Sequence, residues 1–318
     1  MAKLSRPRRG SLQYWPRKRA KKLLPSVNWK AISSKNSDKK LLGFIGYKVG
    51  MTSAYVRDNT PDSMTKSKRI IIPATIIECP PIKILSVRFH KNNKLIGEVI
   101  NSKPDKELNK KIKLPNKINK KIEDFKDFDD VSIIAYSNVK KTGIKKTPDI
   151  LEINLGGDKD SKISFIKENL NKEISVLDVL DKGQLIDVKA VTKGKGVQGP
   201  VKRFGVSLRQ HKSEKGVRKV GSIGPWHPSR VTFRVPMAGQ MGFFSRAQYN
   251  NQIIDKGKIS EKDINKNGGF HRFGKINSEY LIVHGSIQGP TKRQLVLTQP
   301  LRSTKRQSKK NYELIELR

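Results

Sequence analysis

The chain has 318 residues and carries 67 Lys+Arg against 28 Asp+Glu, a net charge of +39. Self-repulsion on this scale calls for a polyanionic partner, and counterions released from its phosphates favour binding, whereas a small-molecule enzyme has no use for such a field. The single cysteine, Cys79, excludes a disulfide framework and any zinc site built on two or more cysteines.

Residues 1–40 contain Pro7, Pro16 and Pro25 and lack periodicity, and 1–37 hold eleven Lys/Arg and no acid. They read as an extended arm. Tyr14, Trp15 and Trp29 are interspersed, suited to base stacking or to packing against a domain, and aromatics are scarce in purely solvating tails. The amino terminus has no apolar core of a secretory signal. Residues 41–54 (LLGFIGYKVGMTSA) read as a strand and a tight turn at glycines. The β-branched runs 70–78 and 82–90, separated by Pro80 and Pro81, read as two strands. Cys79 lies in this apolar run and reads as a buried, inert thiol.

Residues 100–187 hold eighteen Lys and sixteen acids, close to neutral, and arginine is absent between Arg88 and Arg203. Lysine is a solvated point charge where arginine offers a bidentate fork, so the middle reads as an ordinary solvated domain. Within it, 103–130 places Leu108, Ile112, Ile118, Ile122 and Phe125 at helix-like spacing. Residues 131–136 read as a strand and 161–182 as one or two short helices, with Ser175 and Asp178 as a capping signal. Residues 184–192 (QLIDVKAVT) alternate as a strand. A Gly-rich, basic stretch of little regular pattern follows over 193–250; loops this long are uncommon unless functional. Residues 188–254 hold thirteen Lys/Arg and one acid, Glu214. Strands are expected again at 230–235, 280–287, 294–298 and 312–317. No apolar run approaches the roughly 18 residues of a membrane span, so a cytosolic or nuclear setting is expected.

Strands, a neutral α/β stretch and strands again predict a mainly β fold with an α/β insertion, that is, a β-barrel interrupted by an inserted domain. The expected division is an extended basic arm (1–40), a barrel domain (41–95 and 183–318, with a long basic loop at 207–250) and an inserted α/β domain (96–182).

The run Gly194-Lys195-Gly196-Val197-Gln198-Gly199 matches the dinucleotide fingerprint in letters. That motif needs a helix opening at the glycines and an acid about 20 residues on. Pro200 follows at once, the next residues read as strand, and the acid is missing. A P-loop fails at Pro200 as well. His90, His211, His227, His271 and His284 have no metal-ligand spacing, and 188–254 offers no carboxylate pair. No cofactor, metal or catalytic residue is expected.

The informative stretch is 193–247. Its glycines let backbone approach a ligand closely, and its cations are spaced rather than bunched. Trp226 sits between Pro225 and Pro228, with Arg218 and Lys219 before it and Arg230 after it. It is either a projecting ring for base stacking, worth about 1–3 kcal/mol per base, or an anchor for its own loop. Close backbone approach to a structured polyanion suggests folded RNA, read through shape, 2′-OH groups and phosphates. The candidate RNA-binding residues are Arg6, Arg8, Arg9, Trp15, Arg17, Lys18 and Arg19 in the arm. The loop adds Lys193, Lys195, Lys202, Arg203, Arg209, Lys212, Lys215, Arg218, Lys219, Trp226, His227 and Arg230; Arg246, Lys292 and Arg293 complete the set. The alternative is a general chromatin-like nucleic-acid binder, which would need neither an aromatic-tipped loop nor a neutral insertion.

VTKGKGVQGPVKRFGV (191–206) and RKVGSIGPWHPSRV (218–231) resemble the large-subunit ribosomal protein L three family. LSRPRRGSLQYWPRKRAKK near the start, GFIGYKVGMT (43–52) and HGSIQGPTKR (284–293) resemble its archaeal and eukaryotic branch, and the length suits the archaeal type. The middle, roughly 95–180, resembles the family in placement more than in motif. The resemblance implies a translation-factor-type barrel, binding to large-subunit rRNA early in assembly, and a cytoplasmic ribosomal location. It also implies that Trp226 tips a loop reaching toward the peptidyl-transferase centre, flanked by Arg218, Lys219, His227 and Arg230, with the arm threaded between rRNA helices. Implied protein neighbours are the L fourteen and L twenty-four-e proteins of the large subunit; no membrane and no small-molecule substrate are implied.

Overall fold

A computed structural model describes residues 10–34, 41–92, 94–115, 121–125 and 127–318. Helix α1 (Trp29–Ser33) comes first, capped by the Asn28 side chain, which accepts from the Ala31 amide. Then follow β1 (Gly43–Asp58), β2 (Arg69–Cys79), β3 (Ile82–Lys91), β4 (Lys94–Ile100), β5 (Asp130–Ser137) and β6 (Ile150–Asn154). Helices α2 (Lys159–Asn169) and α3 (Val176–Val179) precede β7 (Leu185–Val191), β8 (Val197–Gln198), α4 (Pro200–Phe204) and β9 (Gly239–Gln240). The chain continues through β10 (Ser245–Lys258), β11 (Glu279–His284), β12 (Gln294–Thr298), α5 (Lys305–Ser308) and β13 (Tyr312–Leu317). The fold is mainly β, with several sheets.

The described residues form two compact units. One joins 10–22 to 191–245, here the extension; the other joins 23–190 to 246–318, here the body. In the body, β1 and β2 form a long hairpin because both are rich in β-branched and aromatic residues that suit a pleated surface. They belong to a seven-stranded sheet in the order β12-β7-β10-β11-β2-β1-β13. β12 also pairs with β1, Val296 lying opposite both Ile45 and Lys189. Six strands are therefore paired on both sides, and β13 is the edge. A second sheet, β4-β3-β5-β6, is antiparallel throughout.

One apolar core serves both sheets. Phe44, Ile45 and Ile77 of the first pack with Ile84, Val87, Phe89, Ile133 and Ala135 of the second, and with Ile166 and Val176 from α2 and α3. Each of these side chains larger than alanine contributes roughly 1.5–3 kcal/mol when fully buried. Tyr47 crosses between the sheets. Its hydroxyl donates to Asp149 Oδ2 at 2.6 Å and lies 2.8 Å from Ser137 Oγ. Burial, then the Asp149 charge, pushes the Tyr47 phenol well above its usual range. Cys79 is fully buried and unpaired, and burial likewise raises its thiol.

The structure differs from the sequence expectations in four places. The 103–130 stretch forms two 3-10 turns, Lys106–Lys110 and Ile122–Asp124, in place of α-helix. Pro104 and Pro115 bound its first half, and with seven lysines from Lys103 to Lys120 its apolar stripe is too thin to carry a longer helix; Ile118 lies outside the described residues. No strand forms at 230–235, where turns run between Pro228 and Pro236 and 230–234 are exposed, with no neighbouring strand to pair. Helix α4 stands where strand was expected after Gly199, because Pro200 occupies a first-turn position that suits its fixed φ. No tight turn breaks 41–54, where β1 runs on as one strand with a register shift between Lys48 and Gly50. Of the two roles open to Trp29, packing is the one seen: a Cβ at Gly43 would lie 2.5 Å from its Cη2 atom, so the glycine makes room for the indole. Among the described residues no helix is long and apolar enough to cross a membrane.

Candidate nucleic-acid interface

The extension is built without an apolar core. None of the described residues in 10–22 and 192–245 is buried. Backbone pairing closes its base instead. The Thr192 amide donates to Phe244 O at 2.9 Å, Lys195 to Met241 O at 3.0 Å, and Met241 back to Gly196 O at 2.9 Å. Gly242 permits this approach: its φ is +70° and a Cβ would meet Lys193 O at 2.0 Å, so no other residue fits without moving the backbone. The arm joins the same base, the Ala20 amide donating to Phe243 O at 2.8 Å.

Aromatic rings and guanidinium groups take the place of a core. Arg203 donates from Nε to Gln240 O at 3.0 Å and from Nη1 to Met237 O at 2.8 Å, with its guanidinium 5.0 Å from the Phe204 ring. Arg17 lies 4.9 Å above the same ring and donates to Ser11 O at 2.5 Å. Burial, then the Arg17 charge, lowers the Arg203 pKa. Arg19 stacks 5.1 Å from Phe243. Such contacts are worth about 0.5–1 kcal/mol each at exposed sites. Arg17, Lys193, Lys195 and Arg203 line a hollow of about 350 Å³ with Phe204 and Phe244. Four cations around one concavity suit a phosphate. Further out, Trp226 is 88% exposed between Pro225 and Pro228. At that exposure the ring is not packed into a core of the described residues. Trp15 is half exposed and lies 4.8 Å from the Phe233 ring.

Comparison with known proteins decides the family. The model for ribosomal protein L3 matches residues 1–95 and 97–318. The chain belongs to the ribosomal protein L3 family. Large ribosomal subunit protein uL3 of Methanocaldococcus jannaschii is 41% identical, covering 94% of this chain and 92% of the relative. The proteins of the same name from Methanobrevibacter smithii and Methanococcus vannielii are 40% and 42% identical, covering 95% and 93% of this chain and 94% and 91% of their own. The family is structural and non-enzymatic. Among the described residues no group of three or more His, Cys, Asp and Glu could hold a metal ion.

Within this family member, the structure sorts the candidate residues. Arg6, Arg8 and Arg9 lie outside the described residues. Lys18, Lys193, Lys195, Lys202, Lys212, Lys215, Arg218, Lys219, His227 and Arg230 are exposed in the extension. Arg17, Arg203 and Arg209 spend donors on backbone carbonyls, Arg209 on Val220 O, and so shape the surface as well as charging it. Arg246, Lys292 and Arg293 belong to the body.

Two features escaped the sequence reading. Lys48 is 9% exposed, and its amine donates to Ile287 O and, at 3.1 Å, to Gly289 O. Its backbone pairs with Arg293 and Lys292. A buried lysine therefore fixes the turn that presents those two cations, and burial lowers its pKa. The signal was a lone cation in the otherwise apolar run GFIGYKVGM. Phe204, Phe233 and Phe243 were missed as platforms for arginines; the signal was KRF and GFF beside cations.

Proposed function

We propose that this chain is an rRNA-binding constituent of the large ribosomal subunit in the archaeal cytoplasm, joining during early assembly. One observation carries the reading. The extension holds sixteen Lys/Arg and one acid in its described residues, yet buries none of them. A segment with neither core nor charge balance is stabilised by what it enters, and folded RNA supplies phosphates for its cations and bases for its rings. In this reading Trp226 tips a loop directed toward the peptidyl-transferase centre, with Arg218, Lys219, His227 and Arg230 beside it, and the arm 1–40 runs between rRNA helices. The six doubly paired strands are read as the translation-factor-type β-barrel of the 41–95 and 183–318 domain, with 96–182 as its inserted α/β domain. The L fourteen and L twenty-four-e proteins are the proposed neighbours.

Competition at fixed salt tests the reading. Cognate large-subunit rRNA should displace the protein from double-stranded DNA of equal charge well beyond what phosphate number predicts. Equal competition per phosphate would overturn it and favour a chromatin-like binder.

A further inference from the structure

The extension is not the chain's only concentration of unbalanced charge. Residues 302–310 (RSTKRQSKK) carry five cations and no acid. This segment belongs to the body, where cations elsewhere are commonly paired, as in Lys83–Asp105, Arg88–Glu98, Lys162–Asp130 and Lys256–Asp181. Among the described residues, Arg302, Lys305, Arg306 and Lys309 are exposed and make no ion pair with a carboxylate. Electrostatics alone disfavours holding four such groups together.

The backbone nevertheless holds them in place. At one end the Leu301 amide donates to Oδ2 of the buried Asp187 at 2.9 Å. At the other, Gln252 Nε2 donates to Lys310 O at 2.5 Å. Between them α5 makes one helical turn. The β1–β2 loop lies against the segment, the Asn59 amide donating to Asn311 O at 2.8 Å and the Asn311 amide to Thr60 Oγ1 at 3.1 Å. That loop adds Lys66 and Lys68. The Asp58 amide donates to Lys68 O, and Asp58 lies opposite Tyr312 across the β1–β13 pair. Lys68 is thus two strand spacings, about 10 Å, from Tyr312. Asp58 itself is turned inward, accepting from the Thr60 amide and from the Ser63 and Thr65 hydroxyls. The exposed Asp62 is the one outward carboxylate of the loop, against Lys66, Lys68 and the five cations of 302–310, so the surface stays strongly positive.

We propose that residues 302–310 and the β1–β2 loop form a second rRNA contact surface, built on the body and reading the sugar-phosphate backbone. The inference rests on the rRNA-binding reading above and adds a site to it. The chemistry sets the mode of contact. The cations are anchored through their backbone, and among 302–310 there is no aromatic side chain to stack on a base. Contacts of this kind position a protein without reading sequence.

The test uses the full chain with Arg302→Gln, Lys305→Gln, Arg306→Gln and Lys309→Gln combined, and a cognate large-subunit rRNA transcript as probe. Each lost phosphate contact lowers the slope of log affinity against log salt by about 0.7–0.9. Four contacts lower it by about 3, so the wild-type advantage should shrink about 60-fold between 50 and 200 mM salt. A second measurement places a photocrosslinker on Ser303→Cys, since the native Cys79 is fully buried; crosslinks to rRNA are expected. Wild-type binding with an unchanged slope in the fourfold variant and no crosslink would overturn this site alone. Failure of the wild type to select cognate rRNA would overturn the parent reading and this one with it. Crosslinks in native subunits to a protein rather than to rRNA would overturn the RNA assignment.

Discussion

Arg203→Lys separates an arginine that shapes the extension from one that only charges it. The substitution keeps the charge, so long-range attraction to a polyanion is unaltered. It replaces a planar fork by a point donor. Arg203 makes two hydrogen bonds, to Gln240 O at 3.0 Å and Met237 O at 2.8 Å, over the Phe204 ring. Lysine can keep one of them. The site is partly exposed, so water takes over the abandoned carbonyl and the charge-assisted bond is discounted accordingly. The loss is about 1–2 kcal/mol, including part of the cation–π contact. Local opening should then be about 5- to 30-fold more frequent at the base of the extension. Hydrogen exchange on the free protein reads this directly at the Lys195 and Met241 amides, which pair across that base. The 210–230 tip, with no core of its own, should exchange freely in both proteins. Unchanged protection at Lys195 and Met241 in the variant would refute the assignment of Arg203 as a strut.

Tyr47→Phe removes the donor that links the two sheets to Asp149, a hydrogen bond to an ionised group worth about 1.5–3 kcal/mol; urea unfolding should show that loss, and a change below about 0.5 kcal/mol would contradict the linking role. Asp58 gives a pH dependence. Burial alone would raise its pKa, but hydrogen bonds from Thr60, Thr65 and Ser63 outweigh burial and bring it to about 2. A depressed pKa stabilises the folded loop above the unfolded carboxylate value of about 3.9. That stabilisation is lost as pH falls toward 2, and Asp58→Asn should flatten the acid limb of the unfolding curve. Trp226→Ala should leave thermal unfolding of the body unchanged, because the ring is 88% exposed. Ribosomes carrying it should assemble yet bind tRNA differently at the aminoacyl site; unaltered tRNA affinity and peptide-bond rates would count against the projecting-ring role.

Most of the sheet was legible because its signal is local. β1, β2, β3, β5, β7, β11, β12 and β13 announce themselves as β-branched or alternating runs. β4, β6 and β10 do not. β10 opens as SRAQYNNQ and is held by neighbours on both sides, so tertiary pairing overrides its polar composition. The helical spacing over 103–130 misled because periodicity reports a face, not whether enough surface is buried behind it. In the extension, the density of cations was legible from composition, but whether Trp226 projects or packs was not. Which arginines become struts was not legible either. Arg203 and Arg230 look alike in sequence, and only the closure of 192–199 on 239–245 gives Arg203 its carbonyl partners. The carbonyl partners of Lys48 were unreadable for the same reason, since Ile287 and Gly289 lie far along the chain.

In the proposed function, this chain is held within the large subunit by contacts that surface charge alone cannot supply. Sedimentation of native lysate through a high-salt sucrose gradient tests it, following the chain by mass spectrometry. Proteins held only by peripheral charge dissociate, because log affinity falls steeply with log salt. The chain should stay stoichiometric with the large subunit. Movement to the top of the gradient would contradict it.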